Sequence, residues 1–228
     1  MQSINQIRYY MIDRFSYFFF KIALYACLKN KYMRHSQISK PIWKKQIIWL
    51  SSNEVSQLID AVQAVETVEG DIAEVGVCEG SSAKVISQIK GPKSLHLFDT
   101  FDGLPDISTH DLWFFKKGAY ASRKKLSQLE AEFSAFENVY FYAGVFPRET
   151  GYNVQYKKFS FVHLDADIYN STLESLDFFY PRMSAGGIIL GHDYLVSRGV
   201  RKAFDEFFED RLEPVIPIVG SYCLIVKI

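Results

Sequence analysis

From residue 51 onward, apolar runs of strand length alternate with segments of helical period, and this alternation restricts the fold more than any other feature. "DIAEVGV" (71–77), "SLHLFDT" (94–100), "VYFYAG" (139–144), "FSFVHLDA" (159–166) and "GGIILGHD" (186–193) read as buried strands. Between them lie helices. Ser51 and Glu54 have capping-box spacing, and Val55, Leu58, Ile59, Val62 and Val65 follow on one face. "GSSAKVISQI" (80–89) and the Leu126, Leu129, Phe133 set give two more. A second capping box, Ser171 and Glu174, is expected to start a helix that ends before Pro181. Val200, Ala203, Phe204, Phe207 and Phe208 form a helical stripe, and 214–228 reads as two strands around Gly220. The expected fold is α/β, a mainly parallel seven-stranded sheet with helices on both faces. Phe101 to Ser122 is polar and marked by Gly and Pro, as a functional lid is.

The 228 residues suffice for one domain with a sizeable core, and 48% hydrophobic against 23% charged residues excludes a disordered or fibrous chain. The formal net charge is zero, which argues against a nucleic-acid partner held by global positive charge. Charge is nonetheless uneven. Residues 1–53 carry +8 and residues 54–228 carry −8, so the basic head is expected to meet something anionic. Cys27, Cys78 and Cys223 have no metal-like spacing, and an odd thiol count fits a reducing, cytoplasmic setting.

Residues 1–50 read as a basic, aromatic-rich helical extension ahead of a main domain at 51–228. The charge-free run Ile22 to Leu28 is too short to span a bilayer, and Lys21 interrupts any secretory core. The extension is expected to pack on the domain or across a homodimer. The alternative is an interfacial helix at the inner face of the membrane, with Arg14, Lys21, Lys29 and Lys31 near anionic headgroups.

In a parallel sheet, ligands bind at the carboxyl ends of the strands. The first strand ends in Glu74, Gly76 and Gly80, with Ser81 and Ser82 opening a helix. This is neither a dinucleotide fingerprint nor a Walker loop. An acid ahead of the glycines suits a cationic ligand, such as the amino and sulfonium groups of S-adenosylmethionine. Asp99 ends the second strand at the sequence distance of a ribose ligand. Asp165 and Asp167 stand two apart at the fourth strand end, on one side of the chain if the strand continues, and His192 and Asp193 end the fifth. Three carboxylates and an imidazole on one rim call for a cation or for catalysis.

"EVGVCEGSSA", "LFDTFDGLPD", "HLDADIYNSTLESLDFFYPRMSAGGIILGHDY" and "GVRKAFDEF" together resemble the macrocin O-methyltransferase family, from about Asp71 to Phe208. The resemblance implies a Rossmann-like class I methyltransferase that uses S-adenosylmethionine and a divalent metal, Mg or Mn, on sugar hydroxyls. Carried over by residue, Glu74, Gly76, Gly80, Ser81 and Ser82 hold the methionine end of the cofactor. Asp99 takes the ribose beside Thr100 and Phe101. Gly144, Val145 and Phe146 lie near the adenine, and Asp165 also faces the cofactor. The metal falls to Asp165, His192 and Asp193, and the general base is Asp167. His192 departs from the family, which typically has Asp there. The acceptor is expected to be a small-molecule or lipid-linked sugar, with His110, Trp113, Tyr120, Trp43 and Trp49 available to stack on its ring. Two other readings stand beside this one. A catalytically idle partner protein of the same fold would bind cofactor without turnover. A metal-dependent hydrolase would leave Glu74–Gly80 and Asp99 without a purpose.

Overall fold

The computed structural model of this chain describes residues 50–228. The readings made for residues 1–49, including the helical extension, its dimer or membrane contact, Trp43 and Trp49, lie outside the described residues.

The capping box predicted at Ser51 opens α1 (Ser52–Ala64): Ser51 N–H donates to Glu54 Oε2 at 2.7 Å, and Glu54 N–H donates to Ser51 Oγ at 3.3 Å. Then follow β1 (Asp71–Val75), α2 (Ser81–Ile89), β2 (Leu95–Asp99), α3 (Leu126–Phe133) and β3 (Val139–Ala143). The second half holds β4 (Phe159–Leu164), α4 (Tyr169–Phe179), β5 (Met183–Gly191), α5 (Arg198–Phe208), β6 (Ile216–Pro217) and β7 (Cys223–Val226). One expectation fails at a boundary. α4 starts at Tyr169 behind Ile168, not at a Ser171–Glu174 box. Glu174 turns instead to Arg148, whose Nε donates to it at 2.8 Å.

The seven strands are ordered β3-β2-β1-β4-β5-β7-β6. β1 pairs parallel with β2 and β4, β2 with β3, and β4 with β5. β7 runs antiparallel between β5 and β6. The strand order reverses between β1 and β4. Right-handed crossovers on the two sides of that point place α2 and α3 on one face and α4 and α5 on the other. β4 is buried along its whole length, as a central strand covered on both faces must be. The stripe of α5 is entirely buried and packs with Phe159, Phe179 and Ile189 in the main core. Each such side chain contributes about 1.5–3 kcal/mol by leaving water. The functional consequence is a crevice outside the carboxyl ends of β1 and β4, where ligands of such sheets bind.

Candidate active site

A cavity of about 290 Å³ opens at that crevice. Its lining comes from the exits of all five parallel strands: Gly76 after β1, Asp99 and Thr100 at β2, Gly144 to Phe146 after β3, Asp165 and Asp167 after β4, and His192 and Asp193 after β5. Phe98 and Phe146 give it an apolar wall, their rings 4.4 Å apart between centroids. Backbone strain gathers here. Among its lining residues Cys78, Tyr120, Asp167 and Asp193 have positive φ, between 46° and 62°, as does Phe101 next to Thr100. Such conformations persist only where surrounding structure holds them, and they cluster at functional sites.

The four groups on the acidic side are close together. His192 Nδ1 lies 2.9 Å from Asp165 Oδ1 and 3.2 Å from Asp193 Oδ1. Despite these distances, neither imidazole nitrogen makes an aligned hydrogen bond. Burial opposes a charge on His192, but Asp165 and Asp193 outweigh it and push its pKa up to about 11. Burial would raise Asp165, yet the neighbouring His192 holds its carboxyl below the ordinary value. Asp167 moves the other way: burial, then the charges of Asp165 and Asp193, push it well above the usual carboxylate range. Asp167 does not continue β4. The strand ends at Leu164, and the left-handed turn at Asp167 (φ 62°), rather than strand periodicity, brings it beside Asp165. Ser197 Oγ donates to the Asp167 carbonyl at 3.1 Å and holds that turn.

The nucleoside side differs in detail from the sequence expectation. Asp99 Oδ2 accepts from the N–H groups of Val77 (2.7 Å) and Cys78 (2.8 Å), and Oδ1 from Phe101 (2.6 Å). Its carboxylate thus ties down the glycine turn and keeps one acceptor position, on Oδ1, for a ligand. Glu74 is wholly buried behind the cavity, where Oε1 contacts His163 Nδ1 at 2.8 Å, and His163 Nε2 lies 3.2 Å from the Tyr222 hydroxyl. Glu74, Gly80, Ser81, Ser82 and Phe101 do not line the cavity, whereas the other predicted residues do. Gly103, Leu104, Pro105 and Tyr120, all within the 101–122 segment read as a lid, line the cavity as well. Sequence reasoning missed Phe98 and Ser171 as lining residues, and no local motif marked them as such.

That lid segment has firm anchorage. Gly118 N–H donates to the Leu104 carbonyl at 2.8 Å, and Leu104 N–H to the Ala119 carbonyl at 2.7 Å. Further along, buried Asp111 accepts from Ser108 N–H (2.7 Å) and from Tyr169 N–H at the start of α4 (2.7 Å). Arg198 donates to the His110 carbonyl at 2.7 Å. Of the aromatics expected to stack on a sugar, Tyr120 lines the cavity, His110 packs on Tyr169, and Trp113 points into solvent at 92% exposure.

The sequence profile of the macrocin-O-methyltransferase (TylF) family matches residues 33–219. The chain belongs to that family. Among curated relatives, it is 26% identical over 154 residues to the demethyldecarbamoylnovobiocin O-methyltransferase of Streptomyces niveus, covering 61% of this chain and 58% of the relative. It is 25% identical over 143 residues to the 8-demethyl-8-(2,3-dimethoxy-alpha-L-rhamnosyl)-tetracenomycin-C 4'-O-methyltransferase of Streptomyces olivaceus, covering 57% and 54%. The matches therefore span little more than half the length of these curated relatives. The fold matches the crystal structure of the calicheamicin methyltransferase CalS11 with a TM-score of 0.66 at 17% identity, over 87% of this chain and 91% of that one. This TylF chain thus has the Rossmann-like class I O-methyltransferase fold expected of it.

Proposed function

We propose that the protein transfers a methyl group from S-adenosylmethionine to a hydroxyl of a sugar or glycoside. The observation that carries this reading is one cavity joining an apolar-walled cleft at β1–β3 to a cluster of three carboxylates and an imidazole at β4–β5. The relative from Streptomyces olivaceus carries a rhamnosyl acceptor in its name, which supports a sugar as the acceptor class. The uneven charge, +8 in residues 1–53, favours an acceptor bearing phosphate, as nucleotide-linked and lipid-linked sugars do. Residues 1–50 then serve association, across a homodimer or at the inner membrane surface.

Both implied groups fit the residues present. For the cofactor, Asp99 offers one open acceptor position to a ribose, and Phe98 and Phe146 offer an apolar wall to an adenine. For the metal, Asp165, His192 and Asp193 bring ligand atoms within 4.8 Å of one another, and the His192 nitrogens are buried without aligned partners. Oxygen, nitrogen and oxygen donors suit manganese or another transition ion as well as magnesium. When bound, the cofactor supplies an electrophilic methyl group and the cation supplies Lewis acidity at the acceptor oxygen.

The chain's own residues do the rest. Asp167 accepts the hydroxyl proton on its carboxylate, and its burial, which raises its pKa, makes it a stronger base than a solvated aspartate. The hydrogen bond from Ser197 and the left-handed turn fix where that carboxylate points. Leu104, Pro105 and Tyr120 wall the cavity on the lid side. The test is transfer of labelled methyl to a panel of nucleotide sugars and glycolipids. Asp167→Asn should lower kcat about 10²–10⁴-fold while calorimetry shows S-adenosylhomocysteine bound as in the wild type. Turnover unchanged by that substitution would remove Asp167 as the base. Wild-type protein that binds S-adenosylhomocysteine but methylates nothing would favour the idle-partner reading.

A further inference from the structure

Behind His192, on the side away from Asp165 and Asp193, stands a carboxylate that the reading above leaves unused. Glu54 lies in the first turn of α1, 7% exposed, with Oε1 3.7 Å from His192 Nε2. That separation is an electrostatic contact, longer than a hydrogen bond. Its position is fixed from several directions. Ser51 N–H donates to Oε2 at 2.7 Å, while Ser221 donates to Oε1 through N–H (2.9 Å) and Oγ (2.8 Å). Gly220 leaves the room, since a Cβ there would sit 2.7 Å from Glu54 Cγ. The imidazole is held as well: the Tyr222 ring meets it edge-on, with centroids 5.0 Å apart at 72°.

Asp165 and Asp193, at 2.9 and 3.2 Å, favour a hydrogen on Nδ1 until a cation occupies the space they share; the neutral ring then keeps its single hydrogen on the Glu54 side. With hydrogen on Nδ1, the Nε2 lone pair would face the Glu54 carboxylate and be repelled. With hydrogen on Nε2, that N–H is attracted to Glu54, and the Nδ1 lone pair faces the space shared with Asp165 and Asp193. The second arrangement is the one a metal-ligating histidine needs, with an outer carboxylate fixing the tautomer and the ring. An aspartate at position 192 would instead set a carboxylate against Glu54. The histidine and the glutamate therefore work as a pair.

We infer that Glu54 is a positioning residue for His192, holding the Nε2–H side so that Nδ1 is presented to a divalent cation shared with Asp165 and Asp193. This rests on the metal reading above. The decisive measurement is binding of manganese(II) chloride to the full chain, read from the loss of the free-ion paramagnetic resonance signal. Five proteins are compared: wild type, Glu54→Gln, His192→Asp, the double variant, and Ser51→Ala. Glu54→Gln should weaken manganese binding about ten-fold. In the His192→Asp background the same substitution should strengthen it, because a repulsion between carboxylates is removed. Ser51→Ala breaks the capping box but keeps the carboxylate, so it should lower the Tm and leave manganese affinity unchanged. Wild-type affinity in Glu54→Gln, equal weakening in both backgrounds, or comparable weakening by Ser51→Ala would each overturn the inference while the metal reading stood. A wild-type protein that binds no manganese would overturn both.

Discussion

At Gly76 the chain leaves β1 with φ +91°, and a Cβ there would lie 1.8 Å from the carbonyl oxygen of Asp165. The glycine that looks like a ligand's approach is first of all the place where the exits of β1 and β4 touch. Gly76→Ala should therefore cost about 3 kcal/mol, combining backbone strain with displacement of the Asp165 turn. Urea unfolding would measure it, and a midpoint equal to wild type would contradict that account. The same distinction runs through the other acids. Sequence pattern placed Glu74, Asp99 and Asp167 at strand ends, which was enough to find the site. It did not show where their lone pairs point. Glu74 turns inward to His163, and Asp99 spends three of its acceptor positions on backbone N–H groups. Side-chain direction depends on neighbours far away in sequence, which periodicity does not encode.

At the scale of elements, the helices and strands were legible where local signals were strong. The capping box at Ser51 and the stripe of α5 both formed as read. The box at Ser171 did not, because Asp111, from the distant lid segment, satisfies the N–H of Tyr169 and lets α4 begin earlier. A tertiary partner replaced a local cap, and no sequence window contains both residues. The closing hairpin shows a comparable long-range clamp. Glu213 is buried and accepts from Lys227 Nζ (2.7 Å), the Tyr180 hydroxyl (2.9 Å) and Ile228 N–H (3.3 Å). Burial would raise its pKa, but Lys227 and Tyr180 outweigh burial and bring it down to about 2. A depressed carboxyl stabilises the fold above its unfolded pKa, and that contribution is lost as the pH falls through the folded value. Glu213→Gln should thus lower stability at pH 7 by about 1–3 kcal/mol. The gap between variant and wild type should narrow as pH falls from about 4.5 toward 2. Thermal unfolding across that range reads the effect, and a gap independent of pH would show that charge at Glu213 is irrelevant.

For the molecule as a whole, the reversal of strand order between β1 and β4 divides the labour of the sheet. The donor cleft belongs to β1, β2 and β3, and the acidic cluster belongs to β4 and β5. Within this cavity the two halves meet through Asp165, whose backbone packs on Gly76 and whose carboxylate reaches His192. This division makes the two binding events separable. Asp193 lines the cavity at the exit of β5, so neutralising it removes a proposed cation ligand without touching the β2 and β3 walls. Asp193→Asn, or chelation of divalent ions, should leave S-adenosylhomocysteine affinity within about three-fold of wild type, well under the 1.4 kcal/mol of a ten-fold change. Methyl transfer to the sugar acceptor should fall by at least about 10²-fold under either treatment, because the acceptor hydroxyl then loses its electrostatic support. Calorimetry and the labelled-methyl assay on one preparation give both numbers. Loss of S-adenosylhomocysteine binding on chelation would show that the cation orders the donor cleft as well. Full transfer in excess chelator would leave Asp167 to activate the hydroxyl alone, with His192 fixed between Asp165 and Asp193 as the positive charge at the centre of the cluster.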